Sequence, residues 1–183
     1  MSKLFNLQNK NVLLTGASKG MGLAMAKGLV SHGANVVISS RKLDQCEKAT
    51  DVINESVGQE KAFAFACNAS SKDELNALVD FSMSKLGSIT TLVCNAGVNS
   101  FFGSMSEIDD ESYDKTMDTN VKSNHWLINM VTPSMKESGG GSIMITSSIA
   151  AFHASETLGT YSISKLAVSV SYTHLTLPTT PYV

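Results

Sequence analysis

Short apolar runs recur along the chain, each followed by a longer stretch in which apolar residues return every three or four positions. Residues 11–15 read as a strand. After a glycine-rich turn, Leu23, Ala26, Leu29 and Val30 carry a helix to the break at His32-Gly33, and residues 34–39 read as a second strand. A polar helix over 43–57 closes at Gly58, and the alternating Ala-Phe run over 62–66 forms a third strand. Residues 71–86 make a helix that starts on a capping box of Ser71 and Glu74 and stops at Gly87. A fourth strand spans 90–94. Two helical stretches follow, around 110–117 and 120–130, ahead of Pro133. Gly139-Gly140-Gly141 leads into a fifth strand over 142–148, and Tyr161 opens a last helix. Strands alternating with helices predict an α/β fold, a doubly wound parallel sheet covered on both faces.

In such sheets ligands lie beyond the carboxyl ends of the strands. Four polar or glycine-rich stretches fall there: Gly16-Ala-Ser18-Lys19-Gly20-Met21-Gly22, Asn68, Asn95-Ala96-Gly97 and Ser148. A glycine turn between strand and helix lets backbone approach a pyrophosphate and offers it the N–H groups of a helix N-terminus. The spacing is G-x-x-x-G-x-G, and a tight turn with close helix packing explains it equally well until its position is weighed. An acid that would hold a ribose 2′-hydroxyl is absent after the second strand, where Ser39-Ser40-Arg41-Lys42 stands. Arg41 and Lys19 suit a 2′-phosphate, so NADP is expected over NAD. Either cation alone would read as a solvated surface charge.

Tyr161 and Lys165, four apart on a helix, share a face. An ammonium beside a phenol favours the phenolate, and such a phenol can give or take a proton at a carbonyl or alcohol oxygen. Ser148 could offer the same oxygen a second hydrogen bond. A Tyr-x-x-x-Lys pair taken alone marks an ordinary helix surface. Asn120, near the junction of two helical stretches, reads as a cap or a linchpin.

Composition removes other classes. The chain has 183 residues, 43% of them hydrophobic and 16% charged, with a net charge of −2. That is one globular domain without the basic footprint of a nucleic-acid or membrane-surface binder. No apolar run is long enough to span a bilayer, and the first residues lack the apolar core of a signal peptide. Cys46, Cys67 and Cys94 are scattered, as are four histidines, so neither a metal site nor a disulfide framework is expected. Buried thiols in a reducing cytoplasm account for the cysteines.

Together, Thr15-Gly-Ala-Ser-Lys-Gly-Met-Gly22, Asn95-Ala-Gly97, Asn120-Val121, Ser148 and Tyr161-x-x-x-Lys165 resemble the classical short-chain dehydrogenase/reductase family over residues 7 to 170. The resemblance implies a Rossmann-type fold and an oxidoreductase that interconverts a carbonyl and a secondary alcohol by hydride transfer. It makes Tyr161 the acid/base and Ser148 the group that orients the substrate oxygen. Lys165 would support the tyrosine and, with Tyr161, contact the cofactor at the nicotinamide ribose. Asn120 would order a water in a proton relay. Gly16, Ser18, Lys19, Gly20, Met21, Gly22, Arg41, Asn68, Asn95, Ala96 and Gly97 would border the rest of the cofactor. A cytoplasmic homodimer or homotetramer packed through the helices of Asn120 and Tyr161 is implied as well. Cys94 replaces the family's usual first Asn, and Asn68 its usual acid. After residue 170 the apolar spacing stops and Pro178 and Pro181 forbid a helix, so the family domain is expected to be incomplete at its carboxyl end and residues 171–183 to be a non-family, artefactual tail. A catalytically inactive dinucleotide-binding fragment is the alternative reading.

Overall fold

The computed structural model describes residues 5–153 and 155–171. The tail expected after residue 170 lies, from 172 on, outside them. Two compact units are present: Met1–Gly97 with Lys122–Thr146, and Val98–Val121 with Ser147–Val183.

The first unit is built on β1 (Asn11–Thr15), β2 (Asn35–Ser40), β3 (Ala62–Ala66), β4 (Thr91–Cys94) and β5 (Ser142–Ile145). All pairings are parallel, in the order β3-β2-β1-β4-β5. Successive side chains on a strand point to opposite faces, so each central strand feeds two cores. Leu13, Val37 and Leu92 join Leu75, Leu78, Leu127 and Val131 on one side. Val12, Leu14, Val36, Ile38 and Val93 join Ala26, Val30, Ala49 and Ile53 on the other. The helices supplying these residues are α1 (Gly20–Ser31), α2 (Leu43–Val57), α3 (Lys72–Leu86) and α5 (Ser123–Glu137), while α4 (Asp110–Met117) and α6 (Gly159–Ser171) belong to the second unit. Each fully buried Leu or Ile contributes about 1.5–3 kcal/mol. Burial on both faces is why β1, β2 and β4 read as unbroken apolar runs. At the edge, Phe65 of β3 meets Phe81 of α3 with ring centroids 4.9 Å apart.

Several boundaries differ from the sequence expectation. β5 stops at Ile145 rather than 148; its last ladder bond is Thr146 N–H to the Cys94 carbonyl at 2.9 Å. The capping box opens outward. Ser71 Oγ accepts from Glu74 N–H at 3.3 Å, yet the Glu74 carboxylate takes the N–H of Asn68 at 2.7 Å. The N–H of Ser71 goes to the Asn68 carbonyl instead, at 2.9 Å. α5 runs past Pro133 to Glu137, because a single proline removes one ladder bond without unseating a helix packed through Leu127, Val131 and Met135. Between α4 and α5 the chain makes a π turn over Asp118–Lys122, a form enriched at functional sites.

Candidate active site

In the first unit the strand order reverses between β1 and β4, the place where open α/β sheets bind ligands. The glycine turn leaves β1 here. Gly16 adopts φ +65°, and a Cβ on it would sit 2.8 Å from the Ala96 Cα; a Cβ on Gly22 would strike the Gly16 carbonyl. Both glycines are demanded by close packing. Gly20, at φ +58°, is different: a Cβ there would meet nothing within 4 Å, so its backbone faces open space at the start of α1.

Hydrogen bonds brace the turn from the end of β4. Thr15 Oγ1 accepts the N–H groups of Asn95 and Ala96, both at 3.1 Å. Asn95 Nδ2 donates to the carbonyls of Gly16 at 2.9 Å and Thr15 at 3.2 Å, and its Oδ1 accepts from Thr146 at 3.2 Å. Asn95 therefore shapes the turn through its side chain. Thr15 opens the motif read from sequence but has no role assigned there; its signal is a hydroxyl at the last position of an otherwise apolar buried strand. Ser18 is half-buried, and Lys19, Gly20, Met21 and Gly97 are exposed, as is Arg41 directly after β2. Asn68, beyond β3, is exposed with its Oδ1 accepting from the Ser70 hydroxyl at 3.0 Å. Helix N–H groups, open backbone at Gly20 and two solvated cations form a donor set that fits the phosphates of a dinucleotide.

The second unit holds Asn120, Ser148, Tyr161 and Lys165 together. Lys165 Nζ stands 5.8 Å from the centroid of the Tyr161 ring. The lysine is only 4% exposed, and that burial pushes its ammonium below the ordinary value. Ser148 caps a 3-10 turn, Ile149–Ala151, with its Oγ accepting from Ala150 N–H at 3.2 Å. Accepting occupies a lone pair and leaves the hydroxyl proton for donation. The start of α6 is pinned two residues ahead of Tyr161. Gly103 N–H donates to the Thr157 carbonyl at 3.1 Å, and the Met105 side chain lies where a Cβ on Gly159 would be.

Asn120 is 1% exposed. Its Oδ1 accepts the Val98 N–H at 2.8 Å, and its Nδ2 donates to the Val98 carbonyl at 2.8 Å and to Ser164 Oγ at 2.9 Å. Ser164 in turn donates to the Tyr161 carbonyl at 2.7 Å. The side chain is the linchpin that one sequence reading allowed. Ser164 was missed, since a serine inside a helix gives no pattern of its own.

Burial of Lys165 has a pH signature. A lysine whose folded-state pKa is depressed binds fewer protons folded than unfolded between that value and the ordinary 10.5. Stability therefore rises with pH across that window, and at lower pH the cost of burying the charge is present in full. Urea midpoints of the parent, compared with those of Lys165→Met, are expected to gain ground as the pH rises toward the ordinary lysine value of 10.5. A gap independent of pH would refute the assignment.

Comparison with known proteins places the fold. The short chain dehydrogenase family profile matches residues 10–182, and the chain belongs to that family. Dehydrogenase/reductase SDR family member 4 of Oryctolagus cuniculus is 38% identical over 162 residues, 88% of this chain and 62% of the relative. The chain thus spans less than two thirds of that protein's length. Among solved structures, L-sorbose reductase from Gluconobacter frateurii, complexed with NADPH and L-sorbose, superposes with a TM-score of 0.89 at 27% identity, covering 93% of this chain and 64% of that one. A 7α-hydroxysteroid dehydrogenase complexed with NADH and 7-oxo glycochenodeoxycholic acid gives 0.85 at 32% identity, covering 92% and 67%.

Proposed function

We propose that the chain carries the catalytic region of an oxidoreductase interconverting a carbonyl and a secondary alcohol, with NADP(H) preferred over NAD(H). The observation that carries this reading is a phenol one helical turn from a buried lysine, in the same unit as a serine whose hydroxyl keeps its proton for donation. A bound nicotinamide supplies or accepts the hydride. Tyr161 gives its proton to the oxygen of the reduced carbonyl, or takes it from the alcohol in the reverse direction. Ser148 donates to the same oxygen and stabilises the charge that develops on it. The Lys165 ammonium stabilises the phenolate left behind and holds the ribose side of the cofactor site. Both amide protons of Asn120 are committed to Val98 and Ser164, so its share in a water relay falls to its main chain within the π turn.

Support for the cofactor comes from the exposed Arg41 after β2 and Lys19 before α1. The two neighbours above carry NADPH in one case and NADH in the other, so the support for NADP(H) rests on these cations. Their substrates, L-sorbose and 7-oxo glycochenodeoxycholic acid, have a carbonyl in common and little else, and a small carbonyl or alcohol is the substrate class proposed here. Ile163, Leu166 and Val170 recur at helical spacing along α6 and are exposed, which supports a homodimer or homotetramer joined through that helix. A cytoplasmic setting is proposed with it; no helix among the described residues is long and apolar enough to cross a membrane.

The test is oxidation of NADPH in the presence of a panel of ketones, followed by loss of a charge-assisted contact. Arg41→Asp should move the kcat/KM ratio of NADPH over NADH by about tenfold to a hundredfold toward NADH. An unchanged ratio would count against the 2′-phosphate role.

A further inference from the structure

Tyr161 and Lys165 lie on one helix, but Ser148 lies in another stretch of chain, and work on one oxygen requires these groups to be held within a fraction of an ångström. Among the described residues Ser148 itself makes local bonds: its Oγ accepts from Ala150 N–H, and its carbonyl accepts from Ala151 N–H at 3.0 Å. The tie to α6 is made by its neighbour. Ser147 Oγ reaches the main-chain carbonyl of Lys165 at 3.1 Å and is hydrogen-bonded to Ser169 Oγ. Ser169 Oγ donates to that same carbonyl at 2.8 Å.

Two hydroxyls bring two protons to three contacts. Either both serines donate to the carbonyl, or one serine donates to the other, which then donates to the carbonyl. In each case Ser147 is tied to Lys165, directly or through Ser169. A serine bonding back four residues along a helix is ordinary decoration. A bond that arrives at the same carbonyl from a residue 18 positions earlier in the sequence is not.

We infer that Ser147 and Ser169 are positioning residues, and that their joint grip on the Lys165 carbonyl sets the register of Ser148 against Tyr161 and Lys165. The catalytic consequence rests on the oxidoreductase reading above; the grip itself rests on geometry alone. All of these residues belong to the second unit.

The experiment compares the full chain with its Ser147→Ala and Ser147→Thr variants. Ser147→Ala is expected to lower kcat about tenfold to a hundredfold, with KM for NADPH changed by no more than about twofold. Hydrogen exchange at the Ala150 and Ala151 amides should speed up about tenfold as the 3-10 turn loosens. Ser147→Thr keeps a hydroxyl and should restore both readouts. Faster exchange with parental kcat would overturn the positioning role. Unchanged exchange would overturn the grip. A parent without turnover refutes the oxidoreductase reading instead, and the exchange measurement still decides whether Ser147 holds α6.

Discussion

Tyr161→Phe is expected to lower kcat about a thousandfold or more, near the upper range for loss of a general acid–base, while NADPH binding and the melting temperature stay close to parental. The substitution removes one oxygen from a half-buried ring. No described residue hydrogen-bonds to the Tyr161 Oη, so no buried partner is orphaned, and the contact of Lys165 with the ring face survives. On the proposed reading the loss is confined to the proton that would reach the substrate oxygen. Ser148 would not replace it, because an aliphatic hydroxyl is a far weaker acid than a phenol. Steady-state kinetics and a thermal melt on the same preparation check both halves. Turnover within tenfold of the parent would remove Tyr161 from the chemistry.

The second large effect is expected at the glycine turn. Gly16→Ala should destabilise the chain by about 2–5 kcal/mol, the sum of a left-handed backbone penalty and overpacking. The new Cβ would lie 2.8 Å from the Ala96 Cα and 2.9 Å from its nitrogen. Both are backbone atoms fastened to Thr15 through the Ala96 N–H, so the clash cannot be relieved by turning a side chain. NADPH binding should fall with stability, since the same turn would hold the phosphates. Gly20→Ala is the control: its φ is as unfavourable, but its Cβ would meet only open space. Urea unfolding of the two variants checks this, and a Gly16→Ala midpoint equal to the parent's would refute it.

What could be read from the sequence divides along physical lines. The Val-Leu-Leu, Val-Val-Ile and Leu-Val-Cys runs of β1, β2 and β4 are legible because strands buried on both faces leave no polar interruptions. α2, with Gly58 in the left-handed conformation at its end, falls where its pattern put it. Carboxyl ends were harder. β5 gives up its ladder after Thr146, where its partner β4 has ended at Cys94, and the apolar pattern of one segment cannot register where its partner strand stops. The π turn over Asp118–Lys122 leaves no mark in apolar spacing either, since it buries Thr119 and Asn120, which are polar. Tyr161, Lys165 and Ser148 stand out as candidates by residue type and spacing, whereas Asn120 reads only as a cap or linchpin until the family resemblance gives it a role. Ser147, Ser164 and Ser169 draw no role from the sequence, for small hydroxyl residues are common everywhere and become informative only through their partners.

The three cysteines give the molecule a clock. Cys46, Cys67 and Cys94 are unpaired and buried, and burial drives the thiols of Cys67 and Cys94 up to about 12. At neutral pH only about one such group in 10⁵ is a thiolate, the form that attacks alkylating reagents. While the chain is folded it is nearly silent to them. Each opening returns the thiols to water and to ordinary acidity, so the rate of labelling measures the fraction of time the native state spends open rather than the abundance of cysteine. A trace of such reagent, left in contact with the protein, therefore keeps a cumulative record of the time these thiols have stood uncovered.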